Sequence, residues 1–197
     1  YVDGTLSMDD YEVCALSGMY NAEGEGSIDA DMTLSRTPLL LLNGFVPDRL
    51  IYFKGYAQGE VKVKGSLSRP DVNGELYFDS AYVASDPYGV QMRLCDDQLT
   101  INNSRLQFEN FQMFARNGNA LTLYGYFDFA NFDRMNTYLR MRADNYLLID
   151  AKENARSEAF GKAYVNFLGL VDGPLDALRM RGKLDVLGSS DVTYILR

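Results

Sequence analysis

The chain has 197 residues, 47% of them hydrophobic, a formal net charge of −8, and neither histidine nor tryptophan. An acidic balance lacks the basic footprint that a nucleic-acid partner requires, and without histidine the Ser-His and Cys-His nucleophile pairs are excluded within these residues. No apolar run is long enough to cross a bilayer as a helix, and no signal peptide is recognisable. Period-2 alternation, the mark of a half-buried strand, begins clearly at "GSIDADMTL", with Ile28, Ala30, Met32 and Leu34 on one face. "RTPLLLLNGF" then breaks the pattern. Thr37 as N-cap, Pro38 at the first helical position and Gly44 as a stop predict one short helix, either docked to fill space or acting as a lid over apolar surface.

Alternation resumes in "VKVKGSL" with Val61, Val63 and Leu67, and in "VNGELYFD" with Val72, Leu76 and Phe78. "QLTI", "SRLQF" and "FQMFAR" place Leu99, Ile101, Leu106, Phe108, Phe111, Met113 and Ala115 on apolar positions. "LTLYGYFDF" follows with Leu121, Leu123, Phe127 and Phe129, then "TYLRMRA" with Leu139, Met141 and Ala143. "KAYVNFLG" carries Ala163, Val165 and Phe167, and "LRMRGKLDVLG" carries Leu178, Met180, Leu184 and Val186. Turn chemistry in "SRPD", "SDPYG", "NN", "RNGN" and "VDGP" separates these runs. The expected fold is all-β, a dozen or more strands with short connections, forming one continuous segment over residues 1–197. Tyr1 is not an initiator Met and Arg197 falls inside an apparent strand, so a piece of a longer protein is expected.

Glycines interrupt the apolar faces. Gly65, Gly125 and Gly182 each stand in mid-strand where a packing side chain belongs, a position tolerated for a bulge, a bend or a close backbone approach. A turn at Ser68–Asp71 would set Leu67 against Val72, Val63 against Leu76, Val61 against Phe78, Lys64 against Glu75 and Gly65 against Gly74. A turn around Gly173-Pro174 would set Gly169 against Gly182. Facing glycines would let the sheet curl toward its own apolar face. Strands ~4.8 Å apart would make a dozen of them roughly 60 Å long, and with no long helices to cover it, a sheet creased along its glycines could cover itself and leave an apolar trough.

"GYAQGEVKVKGSLSRPDVNGELYFDSAYV", residues 55–83, resembles the repeat of the TamB family, the large translocation and assembly module proteins of the Gram-negative envelope and relatives of the AsmA-like proteins. Gly59, Val61, Val63, Gly65, Pro70, Gly74 and Leu76 match its "G-x-L-x-L-x-G-x-x-x-x-P-x-x-x-G-x-L" unit in order. "LSRTPLLLLNGFVPDRLIYFKGYAQG" resembles the "P-L" segment before that unit, and "LGLVDGPLDALRMRGKLDVLGSSDVTYIL" resembles the family's C-terminal region. The likeness runs from Gly24 to Leu196 and is nearest in flavour to a Bacteroides-type branch. It implies an elongated, U-folded, mostly antiparallel sheet, the β-taco, with an apolar groove. It also implies a parent protein anchored in the inner membrane and reaching across the periplasm, and an outer-membrane barrel partner of the TamA type. The implied work is phospholipid movement between membranes, outer-membrane protein assembly, or both.

On that reading phospholipid acyl chains are the ligand, with no cofactor and no metal expected. The candidate lining is Val61, Val63, Leu67, Val72, Leu76, Phe78, Leu121, Leu123, Phe127, Leu139, Met141, Val165, Phe167, Leu178, Met180, Leu184 and Val186. The candidate crease is Gly65, Gly74, Gly125, Gly169 and Gly182. Leu123→Asp or Leu184→Asp is expected to abolish transport in a folded sheet, whereas a dry core would unfold with either. The competing reading is a β-sandwich module binding glycan or protein through Tyr77, Tyr82, Tyr88, Tyr124 and Tyr126, and an outer-membrane barrel is a third. Asp96-Asp97 lacks the ligand count of a calcium loop, and no carboxylates pair as in a catalytic site, so no enzyme is expected. Cys14 and Cys95 read as free thiols in strands. Lys62, Lys64, Arg140, Arg142, Arg179, Arg181 and Lys183 form a cationic polar parity, either an anionic-headgroup surface or a solvated face with cross-strand pairs.

Overall fold

Alternating side chains favour extended backbone with one wet and one dry face, and the computed structural model, which describes residues 1–45, 51–154 and 157–195, folds accordingly. Its strands are β1 (Val2–Met8), β2 (Tyr11–Asn21), β3 (Ser27–Pro38), β4 (Tyr52–Ser66), β5 (Pro70–Ser85), β6 (Val90–Leu94) and β7 (Leu99–Asn102). They continue as β8 (Arg105–Phe114), β9 (Ala120–Asp128), β10 (Asn136–Ala151), β11 (Ala159–Pro174), β12 (Arg179–Val186) and β13 (Asp191–Tyr194). All thirteen belong to one sheet, in the order β1-β2-β3-β4-β5-β6-β8-β9-β10-β11-β12, with β7 bridging β5 and β8 and β13 beside β11. Every pairing is antiparallel. Residues 46–50 of the "P-L" segment and Leu196 lie outside the described residues.

The expected helix is a 3₁₀ turn over Leu39–Phe45. Thr37 and Pro38 close β3 instead of opening the helix: the Thr37 hydroxyl donates to the Val13 carbonyl at 2.6 Å, and Pro38 pairs with Tyr56. Gly44 falls inside the turn rather than stopping it. A second 3₁₀ turn, Phe132–Arg134, is capped by Asn131, whose side chain accepts from the Asp133 amide.

The β4–β5 register also differs from expectation. Gly65 faces Pro70, Val63 faces Val72, Val61 faces Gly74, and Lys64 faces Asp71 rather than Glu75. The Ser66 hydroxyl accepts the Arg69 amide at 3.2 Å, closing the hairpin earlier than a turn at Ser68–Asp71. The displacement is four positions in the pairing sum, an even number, so the inward parity is unchanged. Glu75 is left opposite Glu60, and Lys64 pairs with Asp29 at 3.2 Å. At the other end Gly169 does face Gly182, and a Cβ on Gly182 would lie 2.9 Å from the Gly169 Cα. Gly125, at φ +132, faces Leu139, and its missing Cβ makes way for the Tyr138 carbonyl.

Ladder irregularities lie at other residues. Register shifts flank Arg36 on β3, Gly55 on β4 opposite Ser80 on β5, Asn110 on β8 and Asn145 on β10. All five residues have positive φ, +106, +90, +50, +61 and +47. Each bulge kinks its strand and strengthens local twist.

The core lies on the one face where the apolar parities meet. Its central cluster joins Leu39, Ala57, Ala81, Leu94, Cys95, Leu99, Phe111 and Leu123, with Phe78 and Phe108 edge-on to Phe111. A second cluster joins Ala115, Ala143, Tyr146, Leu147 and Val165. Above it the β5–β6 turn crosses to strands that are not its sheet neighbours. Asp150 N donates to Gly89 O at 3.2 Å, and Glu158 and Ala159 both donate to Pro87 O, at 2.8 and 3.2 Å. Met92 of β6 thereby packs on the second cluster. Cys14, in β2, and Cys95, one residue beyond β6, are free thiols, and burial raises both thiol pKa values.

Candidate functional site: an apolar groove

A third cluster, Val61, Val72 and Ile101, floors an apolar cavity of about 380 Å³ at the sheet border where β4 turns into β5. Ile28, Met32 and Leu34 of β3 form one wall, Val63 and Leu76 extend the floor, and Phe129 and Phe132 rise opposite. Leu67, Pro70 and Phe132 stand at the rim, with Leu67 51% and Phe132 52% exposed. Every lining residue is apolar. The volume falls within the range of small-molecule sites, which ordinarily add a few polar groups for orientation. This lining supplies none.

The wall carrying Phe129 is held by polar bonds outside the cavity. Ser104, 1% exposed, donates its hydroxyl to Pro70 O at 2.6 Å and accepts the Val72 amide at 2.9 Å. Its backbone N donates to Val72 O, and its carbonyl accepts from Phe129 N at 2.9 Å. Arg105 grips Asp128 at 2.7 Å and lies over the Tyr126 ring; the Asp128 partner raises the guanidinium pKa. Phe127 stacks on Phe129 with centroids 6.1 Å apart.

The sequence-nominated lining divides into three groups. Val61, Val63, Leu67, Val72 and Leu76 line the cavity. Phe78, Leu121, Leu123 and Met141 belong to the central cluster, while Leu121, Val165 and Phe167 belong to the second; Leu139 is half-buried beside Gly125, and Phe127 is half-buried against Phe129 without lining the cavity. Leu178, Met180, Leu184 and Val186 stand 48%, 69%, 49% and 60% exposed. The last three pair with Val171, Phe167 and Val165, so they continue the inward face onto β12. Val192 and Tyr194 on β13 add to this uncovered strip.

Ile28, Met32, Leu34, Ile101 and Phe129 were visible as alternating apolar positions without being nominated as lining; β3–β4 pairing is what brings them together. Phe132 and Ser104 carried no periodic signal. Of the nominated glycines, none lines this cavity. Gly74 instead opens a larger depression, about 840 Å³, on the opposite face, among Asp31, Gln58, Glu60, Lys62, Asn73 and Glu75. Lys62 pairs with Asp31 at 3.2 Å there. Among the described residues, no three His, Cys, Asp or Glu side chains converge to hold a metal.

The cations of the polar parity are mostly paired. Arg179 and Arg181 converge on Asp172 at 2.8 and 3.1 Å, Lys183 meets Asp185 at 2.8 Å, and Arg142 meets Asp144 at 3.1 Å. Arg140 lies over the Tyr138 ring. Pairing of this kind suits a solvated sheet face and contributes little stability at each exposed position. Tyr77 and Tyr124 are likewise engaged, with Gln98 at 2.7 Å and Asn110 at 2.8 Å. No protein-family model, curated protein or solved structure matches the chain.

Proposed function

We propose that this chain is the hydrophobic-groove segment of a TamB-like envelope protein, sheltering phospholipid acyl chains in the periplasm on their way between membranes. The observation that carries this reading is the cavity whose twelve lining residues are all apolar. An acyl chain entering water costs ~0.8 kcal/mol per CH₂. A wall of Val, Leu, Ile, Met and Phe removes most of that cost without fixing any headgroup, which suits a carrier that must also release its cargo. No covalent step is assigned to any side chain. The exposed strip on β12 and β13 offers a second stretch of the same surface chemistry. In a parent protein anchored in the inner membrane, such a segment would work with an outer-membrane barrel of the TamA type. A β-sandwich for glycan or protein binding is less well supported, because the strands form one sheet rather than two.

The test is mass spectrometry of an organic extract of the chain, expressed in a Gram-negative envelope and purified with minimal detergent. Stoichiometric phospholipid is expected, lost in Leu67→Asp, a rim substitution half exposed to solvent that leaves the packed clusters untouched. A lipid-free wild-type chain, or lipid fully retained in Leu67→Asp, would sink the proposal.

A further inference from the structure

At the sheet border opposite the groove, the first 3₁₀ turn carries Leu40, Leu41 and Leu42 at 51%, 40% and 44% exposure. A 3₁₀ turn has three residues per turn, so Leu40 and Leu41 point in two directions away from buried Leu39, and Leu42 lies one turn beyond Leu39 on its side. A flat protein partner would cover one or two of them. With Leu39 set in the core, the apolar sides left open are the kind of surface that hydrocarbon satisfies. The turn has no acidic residue at its start and no basic residue at its end. Ile51, where the described chain resumes, is 44% exposed as well.

The base of the turn is pinned. Leu39 is buried in the central cluster at 6% exposure. The Asn43 side chain donates to Phe53 O at 3.1 Å and accepts the Phe53 amide at 2.7 Å. The leucines are therefore held outward before any partner arrives, which lowers the ordering cost of contact. The neighbouring strand ends carry Lys54 over the Tyr52 ring, 5.0 Å from its centroid, and Arg36 over the Tyr56 ring at 4.3 Å. Amphipathic aromatics and long cations are the side chains that settle at headgroup depth. The adjacent turns at this border hold Asp9, Asp10 and Asp86, which disfavours a strongly anionic surface.

We infer that the Leu40–Leu42 turn is a contact site for a zwitterionic phospholipid bilayer, its leucines entering the acyl boundary with Tyr52 and Tyr56 at headgroup level. The contact is independent of the groove, which opens at the other border. The chain contains no tryptophan, so Leu41→Trp supplies a single reporter at the tip. With phosphatidylcholine vesicles its emission is expected to shift to the blue and to be quenched by bilayer-embedded bromolipid. Leu168→Trp, 64% exposed on the opposite, polar parity of β11, is expected to shift little. Leu40→Ser with Leu42→Ser should reduce vesicle co-sedimentation at least about tenfold, since two half-exposed leucines together carry more than one decade of affinity. No lipid-dependent shift at Leu41→Trp overturns the inference. So does an equal shift at Leu168→Trp, which would indicate adsorption without a preferred site. A blue shift that follows protein concentration without lipid also overturns it, assigning the turn to a second copy of the chain.

Discussion

Leu123 and Leu184 occupy the same parity of the same sheet, yet truncating them should have different consequences. Leu123 is 7% exposed among Leu99, Phe111 and Met141. Leu123→Ala removes nearly a whole buried side chain and leaves a cavity, a loss of about 2–5 kcal/mol. Leu184 is 49% exposed, so Leu184→Ala forfeits about half of a side chain's burial, about 1 kcal/mol. The assay is urea unfolding followed by far-ultraviolet circular dichroism. With a slope of about 1–3 kcal/mol per molar, the Leu123 variant should unfold roughly 1 M earlier than wild type, and the Leu184 variant only a few tenths earlier. Equal losses at both positions would show that the β12 strip is covered in solution, and the reading of an open apolar edge would fall. A loss below about 1 kcal/mol at Leu123 would refute the dry central cluster. The same contrast revises the aspartate experiment: Leu123→Asp buries an unpaired charge and should unfold the chain, so only Leu184→Asp and rim variants test lipid retention cleanly.

Gly125→Ala forces a Cβ into the Tyr138 carbonyl at φ +132 and should cost about 2–4 kcal/mol. Gly188→Ala meets nothing within 4 Å and should leave the melting temperature within about a degree or two. Ser104→Ala strips the hydroxyl partner from Val72 N and Pro70 O, costing about 1–3 kcal/mol; hydrogen exchange should rise at the Val72 amide first, and unchanged exchange there would count against the role given to these two bonds. Tyr146 has a buried hydroxyl with no hydrogen-bond partner among the described residues, so Tyr146→Phe should be neutral or slightly stabilising on thermal melting. Burial, followed by the Asp86 hydrogen bond, raises the Tyr52 pKa from 10.0 to about 12. The unfolded chain therefore loses that proton first, and stability should fall between about pH 10 and 12; Tyr52→Phe should flatten the fall, as read by base-induced unfolding.

Strand identity was legible because alternation is a local property. "LRMRGKLDVLG" announces β12 from its own residues, and the Gly169–Gly182 pairing followed from one Gly-Pro turn. The β4–β5 register was not legible, because a displacement of four leaves every side chain on its original face and alternation cannot detect it. Its determinant is one hydroxyl, Ser66, accepting the Arg69 amide. The bulges escaped for a related reason. Asn110 and Asn145 tolerate positive φ more readily than most residues, but Arg36 and Ser80 give no such sign, and their conformations are imposed by neighbouring strands. Burial was the least legible quantity. Leu123 and Leu184 look alike in sequence, and what separates them is coverage by strands far along the chain. The groove's floor was anticipated through Val61 and Val72, whereas its far wall depends on Phe129, held through Ser104, and on Phe132, in a turn capped by Asn131; no hydrophobic pattern encodes these polar bonds.

The strand order has a kinetic consequence. Nearly every strand pairs with its neighbour in sequence, so each pairing closes only a short loop and offers the next strand a ready template. Loop-closure cost grows only slowly with loop length, and linear arrays can nucleate at any point and propagate outward. The bonds from the β5–β6 turn to Asp150, Glu158 and Ala159 span more of the chain and must wait until β8 to β11 have zipped into place. Assembly would then proceed strand by strand, with this clasp fastening once β11 is in place and β12 and β13 adding after it. A chain interrupted at any earlier turn would keep its completed hairpins in register.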